Sequence, residues 1–281
     1  MGGRTGLVVL LGSPVAHSVS PAVHNAAFQD QGADLVYLAC DVDRDSLAAA
    51  VGGLRALGAV GANVTIPHKT TVLDLADHAT DRARSVGAAN TLARTGAGWR
   101  ADNTDVEGFA APLRAHAERL RGRSAVVLGA GGAARAVVYA LVRDLGLGRV
   151  TVVARRREQA DTLVGDLVGG GAGLRVSTPP DAGSAVRDAA LVVNATPLGM
   201  GDGRTPWPDD TDFHDGQIVY DLVYRPARTP FLNAAAERGA ATIGGLPMLL
   251  AQAAGSYRQW TGLDMPMDVA ERAAREALGL P

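Results

Sequence analysis

Short apolar runs alternate with longer amphipathic stretches along almost the whole chain, and this alternation limits the fold more than any other feature. The runs are LVVLL at 7–11, VYLA at 36–39, SAVVLG at 124–129, TVVA at 151–154, LVVNA at 191–195 and IVYDLVY at 218–224. They read as strands buried on both faces. Helical periodicity covers 21–31, 45–57, 67–76, 106–120, 133–145 and 268–278. Strands and helices in turn specify an α/β protein with a parallel sheet covered on both sides, and exclude a sandwich or a bundle. Ser20 before Pro21 reads as an N-cap followed by proline at the first helical position, and Asp105 as the cap of a helix opening at Val106. Boundaries fall near 103–108 and near Gly244, the glycine cluster VGGGAG at 168–173 reads as a loop, and no repeat is present. At 281 residues and 47% hydrophobic content the chain can bury one large core or two modest ones.

Charge narrows the partner. A net charge of −2 with only 20% charged residues offers no basic footprint for nucleic acid or an anionic membrane, so a small molecule is expected. Cys40, the one cysteine, cannot form an internal disulfide, which fits a reducing compartment and a cytoplasmic protein. The first apolar stretch is short for a secretory signal, Gly6 stands where a myristoylation signal needs Ser or Thr, and the uncharged stretch 239–257 is broken by Gly244, Gly245, Pro247 and Gln252. No membrane span is expected. The six histidines, at 17, 24, 68, 78, 116 and 214, lack metal-ligand spacing, so no metal is expected either.

Among 27 basic residues the sole lysine is Lys69. Codon drift toward arginine explains this, and so does a site whose amine must exchange a proton that guanidinium keeps.

The segment SAVVLGAGGAARAVVYALV combines a strand, a GxGxxA turn at Gly129, Gly131 and Ala134, and a helix. The first glycine permits the tight turn, the second lets a pyrophosphate approach the backbone of Ala130 to Ala133 including Gly132, and the small third residue packs helix on strand. An NAD-specific site places a carboxylate at the end of the next strand. Here Ala154 is followed by Arg155, Arg156 and Arg157, which suits a 2′-phosphate and points to NADP; the alternative is a solvated basic helix start.

Four polar motifs occupy the first 105 residues. Ser18 and Ser20 lie two apart, on one side if extended; NVTIPHK sets Asn63 and Thr65 at a strand end with Lys69 in the first turn of a helix opened by Pro67; GAAN supplies Asn90, and DNTD supplies Asp102 to Asp105. Together they suit a polyhydroxylated acid. Singly, Ser20 and Asp105 read as caps, Thr65 as a strand residue and Asn90 as a turn.

HSVSPAVHN, ANVTIPHK, GAANTL, DNTDVEGF, VLGAGGAARAV, NATPLGM, YDLVYRPARTPFL and GGLPMLLAQAA, in this order, resemble the shikimate dehydrogenase family over nearly the whole chain. The resemblance implies a substrate-binding and catalytic α/β domain at 1–105, a doubly wound Rossmann domain binding NADP at 106–243, and a C-terminal helical segment at 244–281 that returns to the first domain. It implies Ser18, Ser20, Thr65, Asn90, Tyr224 and Gln252 as ligands of shikimate, Lys69 and Asp105 as the catalytic pair, and Asn194, Thr196, Leu222 and Gly245, with Asp81, on the cofactor side. Either a monomer or a homodimer is compatible with it. The family's second Rossmann strand commonly ends Asn-Arg-Thr, so Ala154, Arg155 and Arg156 imply a 2′-phosphate clamp rebuilt from arginine. The serine pair favours shikimate over quinate, a relative acting on quinate or aminoshikimate being the alternative enzyme and a catalytically idle NADP sensor the alternative class.

Overall fold

The computed structural model describes residues 2–167, 173–201, 203–207 and 212–281. Residues 168–172 of the glycine cluster expected to form a loop lie outside that set, and Gly173 opens a strand. The chain divides into two compact units, Met1–Thr104 with Leu250–Pro281, and Asp105–Leu249.

The first unit contains β1 (Gly6–Gly12), α1 (Ser20–Asp30), β2 (Leu35–Asp41), α2 (Leu47–Ala56), β3 (Gly61–Val64), α3 (Thr71–Asp74), β4 (His78–Ala79), α4 (Asp81–Val86), β5 (Thr91–Thr95) and β6 (Gly98–Asp102). Its sheet has the order β2-β1-β3-β5-β6-β4. β1 runs parallel to β2 and β3, but β5 is antiparallel to both its neighbours, so this sheet is mixed and not parallel as expected. The cause is local: a tight turn through Gly96 and Ala97 joins β5 to β6, and strands so joined run antiparallel. Val9, Leu11, Ala62 and Val64 pack with Leu47, Val51 and Leu54 of α2 to form the core on one face.

The second unit contains α5 (Asp105–Ala110), α6 (Ala117–Leu120), β7 (Ser124–Leu128), α7 (Gly132–Arg143), β8 (Arg149–Val153), α8 (Arg157–Leu167), β9 (Gly173–Ser177), α9 (Gly183–Asp188), β10 (Leu191–Asn194), β11 (Ile218–Asp221), α10 (Pro230–Glu237) and β12 (Ala241–Ile243). Every strand pairing is parallel, in the order β12-β11-β10-β7-β8-β9. Counted from β7, this is the Rossmann order, and strand order reverses between β7 and β10. The single helix expected over 106–120 is instead α5, a 3-10 segment at Ala111–His116, and α6. Pro112 lacks the N–H that would carry α-helical bonding through the joint.

The division between units falls within α11 (Leu246–Thr261), which is followed by α12 (Met267–Leu278). These C-terminal helices return to the first unit. Trp260 Nε1 donates to the Leu92 carbonyl at 2.9 Å, and the Tyr257 hydroxyl donates to Gln31 Oε1 at 2.8 Å. They also help bury His24 on α1, which stacks on Tyr37 at 4.5 Å and lies beside Phe28, Tyr257 and Trp260. Among the described residues neither ring nitrogen of His24 has a hydrogen-bond partner, and burial pushes its pKa down to about 3. Among the described residues no helix is long and apolar enough to cross a membrane.

Candidate active site

In the first unit the sequence motifs come to the carboxyl ends of β1 and β3 and to the start of β5. Ser20 is not the cap of α1. It is the first helical residue; Val19 occupies the cap position in a helical conformation and makes no side-chain cap bond. The segment is therefore not extended, and Ser18 and Ser20 are related differently: Ser18 Oγ accepts the Ser20 backbone N–H at 3.2 Å. Ser20 is thus relieved of the structural duty that would have explained it.

Thr65 follows β3 directly, its N–H bonded to the Leu11 carbonyl at 2.9 Å and its carbonyl accepting the His68 N–H at 2.9 Å. Lys69 sits in the turn that follows and not in a helix opened by Pro67, because helix begins only at Thr71. A distant contact decides this. The Ala89 N–H takes the Lys69 carbonyl at 2.7 Å, an acceptor that a helix would have kept for residue 73. His68 anchors the same turn through a 2.7 Å bond between Nε2 and the Val42 carbonyl.

Asn90 is the hub of a buried network. Its Oδ1 accepts the Thr104 N–H at 2.7 Å, while its Nδ2 donates to Thr104 Oγ1 at 2.9 Å and to Gln252 Oε1 at 3.3 Å. Thr91 Oγ1 lies 2.8 Å from Ser256 Oγ, and Asn63 Nδ2 donates to that same Ser256 oxygen at 2.9 Å. Asn63 Oδ1 accepts the Tyr37 hydroxyl at 2.9 Å. Tyr37, Thr91 and Ser256 escaped the sequence reading, although Ser256 stands one helical turn after Gln252 on the same face and was recoverable from that spacing.

Asp102 also lies buried. Arg82 Nη2 donates to its Oδ2 at 2.9 Å, Gln259 Nε2 to the same oxygen at 2.8 Å, and Thr80 Oγ1 to its Oδ1 at 2.7 Å. Burial alone would raise the Asp102 pKa, but the bond and charge of Arg82, with the bonds from Thr80 and the Asn103 N–H, hold it below the usual carboxylate range. Asp81, by contrast, opens α4 with its side chain fully exposed, pairs with Arg84 at 2.9 Å, and joins none of the other expected site residues through a hydrogen bond.

In the second unit Gly129 follows β7 with φ 115°, and a Cβ there would lie 3.0 Å from the Ala195 carbonyl oxygen and from Thr196 Cγ2. Only glycine suits both the backbone angle and the approach. The turns after β7 and β10 therefore meet where strand order reverses, the place where open α/β sheets bind ligands. Ala130 lies in the turn, Gly131 caps α7, Gly132 and Ala133 form its first turn, and Ala134 is fully buried. A Cβ at Gly131 would meet no atom within 4 Å, so the helix N-terminus, with its unbonded N–H groups, faces room for a pyrophosphate. After β8, Ala154 is buried while Arg155 and Arg156 are exposed, and among the described residues neither is ion-paired. Arg157 pairs with Asp161 at 3.5 Å. These residues fit NADP.

Asn194 and Asp221 end neighbouring strands in register, and Asn194 Nδ2 donates to Asp221 Oδ1 at 2.8 Å. Asn194 Oδ1 in turn accepts the Thr196 N–H at 3.0 Å and its hydroxyl at 2.7 Å. β11 stops at Asp221, short of the run read through Tyr224, because the Asp221 side chain takes the Val223 N–H at 3.0 Å and turns the chain. Leu222 and Tyr224, both half-buried, lie in the loop that results. A Cβ on Gly245 would lie 2.3 Å from the Leu222 carbonyl oxygen, so those two segments touch through backbone. Asp105, 4% exposed, is the first residue of α5 and of this unit, one position inside the helix it was expected to cap. Among the described residues no group of three His, Cys, Asp or Glu side chains is placed to hold a metal ion.

A Rossmann sheet with a dinucleotide turn at its reversal point, together with an α/β unit carrying a buried amide and hydroxyl network, defines a two-unit dehydrogenase architecture. Residues 10–92 match the shikimate dehydrogenase substrate binding domain, and residues 245–275 match the shikimate 5′-dehydrogenase C-terminal domain. The chain is 51% identical to the shikimate dehydrogenase (NADP(+)) of Salinibacter ruber, over 96% of this chain and 97% of that one. It is 47% identical to the enzyme of the same name from Moorella thermoacetica, over 98% and 94%. Shikimate 5-dehydrogenase of Thermus thermophilus, solved with NADP(H) and shikimate, superposes with a TM-score of 0.85 at 38% identity, over 97% of this chain and 100% of that one. The chain belongs to the shikimate dehydrogenase family.

Proposed function

We propose that this protein catalyses the reversible, NADP-dependent reduction of 3-dehydroshikimate to shikimate, a step toward chorismate and the aromatic amino acids. The observation that carries the reading is the 51% identity to an NADP-dependent shikimate dehydrogenase, which runs through 96% of the chain and so covers both units. When bound, NADPH supplies the hydride that reduces the C3 carbonyl. The Gly131 cap, Gly132 and Ala133 receive the pyrophosphate, Arg155 and Arg156 the 2′-phosphate, and Asn194, Thr196, Leu222 and Gly245 the nicotinamide side. Asp81, the remaining residue on the cofactor side, is fully exposed and already paired with Arg84.

Ser18, Ser20, Thr65, Asn90, Tyr224 and Gln252 bind the substrate. Asn90 Nδ2 donates to Thr104 Oγ1 and, through the longer bond of 3.3 Å, to Gln252 Oε1, so two of the proposed substrate ligands lie within hydrogen-bonding distance of each other. Lys69 Nζ polarises the carbonyl oxygen and gives it a proton as hydride arrives at carbon; in the oxidative direction the amine takes that proton back. Asp105 is its catalytic partner, favouring the charged ammonium. The substrate is thus assigned to 1–105 with the returning segment 244–281, and the cofactor to 106–243. A lone cysteine supports a cytoplasmic location, and the family resemblance supports a monomer or a homodimer. Shikimate-dependent reduction of NADP+ by the purified protein tests the reading, and its absence would reject it.

A further inference from the structure

Asp221 has no assigned part in this reaction, yet the loop ends of the cofactor unit converge on it. It is fully buried, and among the described residues no lysine or arginine pairs with it. Three donors reach it instead: Asn194 Nδ2 at 2.8 Å and the Val223 N–H at 3.0 Å on Oδ1, and Thr229 Oγ1 at 2.6 Å on Oδ2. The first two can only donate. The Thr229 oxygen already accepts the Leu232 N–H at 3.3 Å as the cap of α10, which leaves its proton for Asp221. An acceptor on all sides is needed, and a carboxylate supplies it. Burial raises the pKa of this carboxyl and the three bonds oppose that rise.

Each bond leads to a different segment. Through Asn194, which also donates to the Leu198 carbonyl at 3.1 Å, Asp221 holds the turn at Thr196 to Leu198 that packs on Gly129. Through Val223, whose carbonyl accepts the Gly245 N–H at 3.2 Å, it holds Leu222 and Gly245. Through Thr229 it closes the loop after β11 onto α10. No hydrogen bond of this set reaches Gly131, Arg155 or Arg156. We propose that Asp221 is a positioning residue for the nicotinamide half of the cofactor, fixing the turns after β10 and β11 together while leaving the adenosine half unaffected. This rests on the functional reading above and adds to it a residue that acts through others.

The test compares wild type with Asp221→Asn, which keeps volume but aims an amide at donors. Dissociation constants for NADP+ and for adenosine 2′,5′-bisphosphate, which is the adenosine half alone, are measured by calorimetry. NADP+ binding is expected to weaken about tenfold, the scale of one charge-assisted hydrogen bond, and bisphosphate binding to stay within about twofold. Equal weakening of both ligands, or no change in either, would overturn the proposal. Should Asp221→Asn not accumulate as folded protein, Thr229→Val removes the bond to Oδ2 together with the cap bond to the Leu232 N–H, and must show the same split between the two ligands, with the same results counting against it. A wild type that binds NADP+ but leaves shikimate untouched defeats the functional reading and leaves this binding test intact.

Discussion

Asn90 holds Thr104 by both of its polar groups, accepting the backbone N–H at 2.7 Å and donating to the hydroxyl at 2.9 Å. Thr104 precedes Asp105 in the chain, so one proposed substrate ligand also fixes the backbone next to a proposed catalytic group. Both residues are buried, so a polar group left without its partner there carries a desolvation cost. Asn90→Ala leaves the Thr104 N–H without its acceptor and is expected to cost about 2 kcal/mol in urea unfolding. It is also expected to raise the shikimate KM more than the NADP+ KM. An unchanged unfolding midpoint would deny the hub its structural role, and equal KM effects would deny its role toward the substrate.

Lys69 and Asp105 are separated from bystanders by kinetics. Lys69→Ala is expected to lower turnover by about 10² or more with a smaller effect on shikimate affinity, and Lys69→Arg is not expected to restore it, because guanidinium holds its proton. Asp105→Asn, which keeps the side-chain volume while removing the charge, is expected to fold and be nearly inactive. Full activity in Asp105→Asn would remove it from the catalytic pair, and a Lys69→Ala defect confined to KM would reduce Lys69 to a binding group.

The exposed arginines after β8, without ion-pair partners among the described residues, carry the cofactor choice. Replacing Arg155 and Arg156 together with alanine is expected to weaken NADP+ by about tenfold or more while NAD+ changes little, since only NADP+ has the 2′-phosphate they engage. Steady-state KM values for the two cofactors check this, and a parallel loss for both would mean that these arginines serve the fold or the adenine alone.

His24 gives stability a pH dependence with a definite sign. Its pKa is about 3 in the folded chain against 6.5 ordinarily, so below 6.5 the unfolded chain binds a proton that the folded chain refuses. The contribution is therefore fully present above pH 6.5 and is lost as pH falls toward 3, by up to about 1.4 kcal/mol per pH unit. His24→Phe suits the aromatic surroundings and removes the titration. Urea midpoints at pH 7.5 and 5 are expected to differ less in His24→Phe than in wild type, and an identical difference would show that other groups govern the acid limb.

The cofactor unit was more legible than the substrate unit for a physical reason. Gly129, Gly131, Ala134 and Arg155 belong to one continuous strand, turn, helix and strand, so their arrangement follows from local spacing. The turn at Lys69 is set by Ala89, twenty residues on, and the network at Asn90 by Gln252 and Ser256, more than 160 residues on; the helical spacing of Gln252 and Ser256 marks a shared face but not the distant residue that face meets. Ser20 looked like a helix cap because a serine before a proline usually is one, and the start of α1 lies one residue earlier than that pattern suggests. Asp221 was visible only as part of an apolar run, where its burial and three donors could not be read.

The most direct measurement follows absorbance at the NADPH band with purified protein, shikimate, and NADP+ or NAD+, and then with quinate in place of shikimate. Rapid NADP+ reduction with shikimate, and much slower reduction with NAD+ or quinate, is the predicted result. No reduction with shikimate and NADP+ would contradict the account, as would a clear preference for quinate.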